Sequence, residues 1–249
     1  MIFQKLKREA ATIRDIIYHR LYYKGGTERD LIDQFHKLYY DSSSFNKTWK
    51  NTWWMGVPVG KCPFDLWIYQ ELIYEIKPDL IIETGTCFGG SAYYYASICD
   101  LLSHGKVVTI DIDDAEMTLY REQTTPLRVR PEHPRIKYLR GSSTSESIVR
   151  QVKEMAQSTK RVLVTLDSDH RAAHVIDELK TYGPLVSKGS YLVVEDSNIN
   201  SHPVYPSFGP GPMEAIDLFM KNNTDYVIDT RNENHLVTFN PKGLLRKIR

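Results

Sequence analysis

Three acidic residues lie at the ends of two apolar runs in the second half of the chain. Aspartate and glutamate are common ligands of metal ions. Asp167 closes one run, and Glu195 and Asp196 close the next. If these runs are neighbouring strands, the three acids lie together and repel one another unless a cation neutralises them. Hard oxygen ligands favour Mg²⁺, with Mn²⁺ or Ca²⁺ as substitutes. Alternatively, one or more of these acids caps the following helix, a role for which Asp169 is the better candidate.

A histidine beside the acid cluster is the candidate general base. His170 follows Asp167 by three residues, at the turn into the next predicted helix. An aliphatic alcohol is a poor nucleophile when neutral, so a metal at Asp167 and proton removal by His170 would together activate it. A lone histidine also has a structural interpretation, and His174, one helical turn later, is a competing base. Asp167 and His170 are the predicted catalytic pair.

A third apolar run ends in a carboxylate that is followed by a glycine turn and a small-residue helix start. Its candidate cofactor contacts are Glu83, Gly85, Thr86, Gly89 and Ser91. The glycine spacing is not GxGxxG, and a carboxylate here would oppose a pyrophosphate. The same carboxylate suits the positive amino and sulfonium groups of S-adenosylmethionine (SAM), which we favour over a dinucleotide. Alternatively, the glycine only permits the turn and the carboxylate is capped locally.

Two further strand ends complete the predicted cofactor cleft, because ligands of open parallel sheets bind beyond the carboxyl ends of the strands. Asp111 ends the apolar run at residues 107–111, the next run along the chain after residues 80–84. At that position its carboxylate can accept hydrogen bonds from both ribose hydroxyls. Ser142 and Ser143 follow the third run and border the predicted adenine site.

Strands and helices alternate after residue 79, which predicts an α/β fold. The apolar runs lack polar alternation, so their strands are covered on both faces in a mostly parallel sheet. The runs Tyr226–Asp229 and Leu236–Phe239 flank a polar turn and predict a terminal antiparallel hairpin. The predicted strands are 80–84, 107–111, 136–139, 161–167 and 190–195, and the predicted helices are 64–76, 91–103, 145–157 and 172–186.

The N-terminal segment and one later loop flank this core. Residues 1–40 are predicted to be helical, with Ile13, Ile16, Ile17 and Leu21 on one face and a break at Gly25-Gly26. The basic residues opposite either meet an acidic membrane surface or a partner, or form a solvated face, which we favour.

The proline-rich loop at residues 201–212 follows the pair Glu195-Asp196, so it either covers the cleft or only links a strand to a helix. His202 and Tyr205 in this loop are the candidate substrate contacts. Trp53, Trp54 and Phe208 either stack on a sugar face, as Tyr205 would, or pack locally.

Composition narrows the functional classes. The chain has 249 residues, 41% of them hydrophobic, and a net charge of +1, so it has no bulk basic footprint for nucleic acid. We find no apolar run typical of a secretory signal or a transmembrane helix. Cys62, Cys87 and Cys99 lack CxxC spacing, which favours a reducing cytoplasm and no structural zinc. We therefore predict a cytoplasmic protein, with peripheral membrane contact as an open alternative.

Five motifs together resemble the cephalosporin hydroxylase family, which includes rhamnosyl O-methyltransferases. The resemblance covers residues 48–240 and rests on Trp53–Pro58, Pro78–Thr86, Leu166–His170, Val194–Asp196 and Phe208–Ala215. It implies a Rossmann-like class I SAM-dependent methyltransferase fold, with a seven-stranded sheet that ends in a hairpin. It also implies a homo-oligomer, a helical cap or oligomerisation segment at residues 1–78, and a SAM-binding domain at residues 79–249. It supports the three acids as a Mg²⁺ set.

A more distant resemblance is to catechol O-methyltransferase, which has a lysine where His170 stands. The resulting hypothesis is a SAM- and Mg²⁺-dependent O-methyltransferase acting on a sugar hydroxyl of a glycolipid, polysaccharide or glycosylated natural product. The alternatives are an oxidoreductase or hydroxylase on the same fold, and a non-catalytic binding module. The sequence does not show the two-histidine, one-carboxylate iron site of many non-haem oxygenases.

Overall fold

The computed structural model describes residues 26–41, 48–112 and 130–249. The predicted apolar face at Ile13, Ile16, Ile17 and Leu21 lies outside these residues. Helix Glu28–Asp41 begins just after the predicted break at Gly25-Gly26. In the described ranges, no helix combines the length and the apolar character that crossing a membrane requires.

One seven-stranded sheet organises the molecule, together with a small two-stranded hairpin. The described residues form β1 (Trp53–Trp54), β2 (Val57–Pro58), β3 (Leu80–Thr84), β4 (Lys106–Asp111), β5 (Ile136–Arg140), β6 (Val162–Leu166), β7 (Tyr191–Val194), β8 (Tyr226–Asp229) and β9 (Leu244–Lys247). The large sheet has the order β5-β4-β3-β6-β7-β9-β8. Its first five strands are parallel, and β9 runs antiparallel to both of its neighbours. The predicted α/β architecture is confirmed.

The strand order reverses between β3 and β6, which places a cleft at their carboxyl ends. From β3 the chain adds β4 and β5 on one side, and then β6 and β7 on the other. The connections on the two sides of such a switch point leave in opposite directions, which opens a crevice for a ligand. Glu83 and Asp167 lie at the ends of these two strands, so the predicted cofactor and metal residues face one cleft.

Helices cover both faces of the sheet, as the uninterrupted apolar runs predicted. Leu80 and Ile82 point into one buried cluster and Ile81 into the other, and each is at most 5% exposed. Helices Glu146–Gln157, Ala172–Tyr182 and Pro212–Lys221 contribute to the first cluster, and helices Pro63–Ile76 and Gly90–Leu101 contribute to the second. Apolar burial of this kind is the main stabilising contribution to folding.

Helix Pro63–Ile76 shares its core with the sheet, although the sequence assigns it to the N-terminal segment. The boundary between 78 and 79 stays a prediction. On the outer side of this helix, Phe64, Trp67 and Tyr74 are 41%, 60% and 62% exposed. The predicted homo-oligomer also stays a prediction.

The predicted second strand of the terminal hairpin was wrong. Leu236–Phe239 is not a strand, and the partner of β8 is β9. The backbone of this segment is used elsewhere, because the Phe239 N–H donates to Asp65 Oδ2 at 2.8 Å and the Thr238 hydroxyl donates to Asp65 Oδ1 at 2.5 Å. The Phe239 ring packs on His36 from helix Glu28–Asp41. A buried carboxylate and an aromatic contact therefore hold the segment as a loop.

Candidate active site

The ends of β6 and β7 bring two of the predicted acids and the predicted base together. His170 Nε2 lies 3.2 Å from Asp196 Oδ2 and 3.8 Å from Asp167 Oδ1. One possible ligand atom from each of the three residues lies within 4.8 Å of the others. Asp167 and Asp196 therefore have the spacing to share one metal ion, with the His170 imidazole beside it.

Asp196 is held in place by its backbone. Its φ is +55°, in the left-handed region that few residues other than glycine adopt without support. The support comes from Asn240, whose Oδ1 accepts the Asp196 N–H at 2.8 Å and whose Nδ2 donates to the Tyr69 hydroxyl at 2.7 Å. The loop that follows Leu236–Phe239 thus orients one acid of the site.

The third predicted acid turns toward a lysine that the sequence analysis missed. Lys61 Nζ donates to Glu195 Oε2 at 2.6 Å and also to Asp167 Oδ2, and the lysine side chain is 4% exposed. Burial alone would lower the pKa of Lys61, but the charges of Asp167 and Glu195 outweigh it and raise the pKa well above its ordinary value. Lys61 is therefore an ammonium ion between two carboxylates.

The local hairpin explains how an isolated lysine reaches the sheet. Lys61 follows β2, which packs on the start of helix Gly90–Leu101: a Cβ at Gly90 would lie 2.0 Å from the Pro58 carbonyl oxygen. Only glycine allows this approach. The sequence signal for Lys61 was limited to its position three residues after the motif Trp53–Pro58.

The charges and donors of this cluster fit a divalent cation. Three carboxylates against one ammonium leave two negative charges, and Glu195 Oε1 is buried without a hydrogen-bond partner in the part of the chain that the structure describes. An unpartnered buried acceptor is costly. Carboxylate oxygens are the ligands that Mg²⁺ prefers, and Mn²⁺ accepts them as well.

The cofactor turn lies directly against the metal-site acids. Gly85 has a φ of +87°, and its N–H donates to the Ile110 carbonyl at 2.8 Å. Gly89, also at positive φ, precedes helix Gly90–Leu101, whose first turn buries Ser91. The glycines thus permit the turn between β3 and this helix, and the predicted cofactor contacts of Gly85, Thr86, Gly89 and Ser91 stay predictions.

Asp111 holds the cofactor turn closed. Its Oδ2 accepts the backbone N–H groups of Thr86 at 3.0 Å and of Cys87 at 2.8 Å, and Arg130 Nη2 lies 3.6 Å away. The predicted ribose contact of Asp111 stays a prediction. Its carboxylate stands at the carboxyl end of β4, where that contact requires it.

Glu83 lies inside the protein. It is 0% exposed, and its Oε2 accepts the Thr109 hydroxyl at 2.6 Å. Burial raises the pKa of Glu83 to about 7, against the opposing charge of Lys61. Its predicted contact with the positive groups of SAM stays a prediction.

The predicted adenine-side serines and the competing base form a separate polar cluster. His174 Nε2 lies 3.2 Å from Ser143 Oγ, 3.1 Å from Ser168 Oγ and 3.3 Å from Glu178 Oε1. The Glu178 carboxylate raises the pKa of His174. This imidazole joins the loop after β5 to the loop after β6, an arrangement that favours a structural role, and the choice between His170 and His174 as base stays a prediction. Ser142 lies beside it, with its carbonyl accepting the Ser145 hydroxyl.

The proline-rich loop lies next to the backbone of His170, and the interpretation that it covers the cleft stays a prediction. The Pro210 carbonyl accepts the Ala172 N–H at 3.0 Å, and a Cβ at Gly211 would lie 3.4 Å from the His170 carbonyl oxygen. His202 Nε2 contacts Glu214 Oε1 at 2.9 Å, and this contact helps to fix the loop. Tyr205, 47% exposed, packs edge-on against Phe208 at 5.5 Å. Both predicted substrate contacts stay predictions.

The fold is that of class I SAM-dependent methyltransferases. It has a mostly parallel seven-stranded sheet in which β9 lies antiparallel between β7 and the edge strand β8. A solved structure of CmcI with Mg and SAM superposes with a TM-score of 0.59 at 18% identity, over 80% of this chain and 78% of that one. The methyltransferase MycE of the mycinamycin biosynthetic pathway, in complex with Mg, SAH and mycinamycin VI, superposes with a TM-score of 0.52 at 16% identity, over 86% of this chain and 54% of that one.

The chain belongs to the rhamnosyl O-methyltransferase/CmcI family, whose pattern matches residues 46–248. A rhamnosyl O-methyltransferase of Mycobacterium tuberculosis (strain ATCC 25618 / H37Rv) is 40% identical over 217 residues, which are 86% of this chain and 83% of that protein. Another from Mycobacterium leprae (strain TN) is 36% identical over 219 residues, 86% of this chain and 90% of that protein. The predicted family and fold class are both confirmed.

Proposed function

We propose that this chain is a SAM- and Mg²⁺-dependent O-methyltransferase that acts on a sugar hydroxyl. The observation that carries the proposal is the placement of Asp167, His170 and Asp196 at the same switch point as the glycine turn at 85. Methyl transfer requires the methyl donor and the cation-bound hydroxyl to be held close together. This cleft has the proposed SAM residues and the proposed Mg²⁺ residues side by side. The names of the mycobacterial relatives support a rhamnosyl acceptor. We propose that this sugar belongs to a glycolipid, a polysaccharide or a glycosylated natural product.

The residues on one side of the cleft are proposed to bind SAM, and those on the other side to bind Mg²⁺. Asp111, Gly85 and Ser143 border the space proposed for SAM, and Asp167, Glu195 and Asp196 are the acids proposed to hold Mg²⁺. When bound, SAM supplies an electrophilic methyl group and Mg²⁺ stabilises negative charge on an acceptor oxygen. The proline-rich loop restricts water on the remaining side.

His170 receives the proton of the acceptor hydroxyl. Its Nε2 is the ring atom directed at the acids, so that atom takes the proton. The imidazolium that forms is stabilised by Asp196 at 3.2 Å and Asp167 at 3.8 Å. A base of this kind contributes about 10²- to 10⁴-fold to a rate.

The test replaces Asp167 by alanine and follows S-adenosylhomocysteine formation with rhamnosyl-bearing acceptors. We expect Asp167→Ala to abolish methyl transfer while calorimetry shows nearly unchanged SAM binding. Asp217→Ala is the matched control, because Asp217 is 58% exposed and pairs with Lys242 rather than with an acid or base of the site. Full turnover of Asp167→Ala under strict chelation would refute the metal role.

Calorimetry with SAM and with NADH, together with the assay of S-adenosylhomocysteine formation, separates the alternative functions. Binding of NADH without SAM would favour an oxidoreductase. Binding of SAM without conversion on any glycan acceptor, in the presence of Mg²⁺, would favour a non-catalytic module.

A further inference from the structure

Lys61 sits behind the proposed metal site. Its Nζ contacts Asp167 Oδ2 and Glu195 Oε2, so each of these carboxylates keeps its other oxygen for a different partner. Asp167 Oδ1 faces His170, and Glu195 Oε1 is buried with no hydrogen-bond partner among the described residues. One ammonium therefore fixes which oxygens the two acids present.

Lys61 and Glu195 are buried, so the charge of the ammonium acts strongly on the neighbouring carboxylates. The side chains of Lys61 and Glu195 are 4% and 5% exposed, so water does not screen them. Asp167, whose side chain is 23% exposed, and the buried Glu195 both contact this one ammonium, so without it they would repel each other and separate. Partners that orient metal ligands from behind typically contribute 10- to 100-fold to metal affinity.

We propose that Lys61 is a positioning residue for the divalent cation: its ammonium holds Asp167 and Glu195 together so that their free oxygens converge on the metal. The inference deepens the proposed function and rests on it. Lys61 does not touch the reacting atoms. Its role requires a positive charge at the end of the side chain, and space filling alone does not supply that charge.

The experiment measures Mn²⁺ binding to the purified chain by electron paramagnetic resonance of the free ion, without SAM or acceptor. We expect Lys61→Ala and Lys61→Met to weaken Mn²⁺ binding by about tenfold or more. Lys61→Met retains the volume of the side chain without its charge, and it serves if Lys61→Ala does not fold. Lys188→Met, at an exposed position, is the matched control and should bind Mn²⁺ like the wild type.

Chemical rescue distinguishes charge from packing. Lys61→Ala lacks three carbons and a nitrogen, which propylammonium replaces, whereas 1-propanol replaces the volume without the charge. We expect propylammonium alone to restore Mn²⁺ binding. Wild-type affinity in Lys61→Met, or the lack of a rescue specific to propylammonium, would overturn the inference. A wild-type chain that binds no Mn²⁺ would instead overturn the proposed function.

Discussion

Gly85 lies so close to Asp167 that a Cβ atom at position 85 would be 1.8 Å from the Asp167 carbonyl oxygen. The two residues belong to loops that leave neighbouring parallel strands, one on the cofactor side and one on the metal side. Their backbones touch because no side chain intervenes. A change at either loop therefore moves the other.

Gly85→Ala should destabilise the chain and weaken metal binding together. The left-handed φ costs about 1–2 kcal/mol for a residue with a Cβ, and the collision adds about 1–3 kcal/mol. Gly189→Ala is the control, because Gly189 has a similar φ of +84° with nothing within 4 Å. Chemical denaturation and Mn²⁺ titration check this. Equal losses of stability in the two variants would contradict the proposed contact.

His170→Asn should lower the methyl-transfer rate by about 10²-fold or more, with little change in SAM affinity, because it removes the base and leaves the cofactor side intact. His174→Asn tests the competing base. His174 Nε2 contacts Ser143, Ser168 and Glu178, so His174→Asn should reduce the stability of the chain. The pH dependence of the methyl-transfer rate should remain. A rate that loses its pH dependence in His174→Asn would reverse the assignment.

His36 should make the chain less stable in mild acid. Burial lowers its pKa to about 4, and Asn198 Nδ2 lies 3.0 Å from its Nε2. Between pH 7 and 5 the unfolded chain gains a proton at His36 and the folded chain does not, so stability falls as the pH falls. The loss is on the order of 1–2 kcal/mol.

His36→Gln keeps an acceptor for Asn198 but cannot titrate in this range. The unfolding free energy of this variant should therefore fall less than that of the wild type between pH 7 and 5. Hydrogen exchange of helix Glu28–Asp41 should show the same difference. Parallel pH profiles for the two proteins would rule out His36 as the titrating group.

Asn240→Leu should disturb the site through the backbone of Asp196. The variant removes the acceptor of the Asp196 N–H and leaves that donor and the Tyr69 hydroxyl unpaired, which costs about 1–3 kcal/mol. Mn²⁺ affinity should fall as well, because Asp196 loses the support for its left-handed backbone. Asn222→Leu, at an exposed helix end, should change neither quantity. A destabilised variant with normal Mn²⁺ affinity would limit Asn240 to a purely structural role.

The sheet was predictable because burial leaves a direct mark on the sequence. Runs such as Leu80–Ile82 lack polar residues, and an acid or a glycine ends each of them where the cleft begins. The hairpin partner at Leu236–Phe239 was predicted wrongly for the same reason. Val237 and Phe239 of this segment are buried, and the Phe239 ring packs on His36, although no strand forms there. Periodicity cannot tell a buried loop from a buried strand.

The candidate site was predictable only where it coincided with strand ends. Asp167 and Asp196 meet His170 because parallel strands end at one edge. Lys61 comes from a short hairpin outside the alternating pattern, and a single lysine carries no spacing signal. Its contact with Glu195 depends on how β2 packs on Gly90, which is a property of the tertiary structure.

The insertion of β9 between β7 and β8 has a consequence for biosynthesis. Leu244–Lys247 is the last described strand to be translated, yet it pairs along the outer edge of the strand that leads into Glu195 and Asp196. While the nascent polypeptide is still being extended, that edge stays bare and open to pairing with other chains. Premature termination upstream of residue 244 would leave it bare permanently, so such products are expected to aggregate.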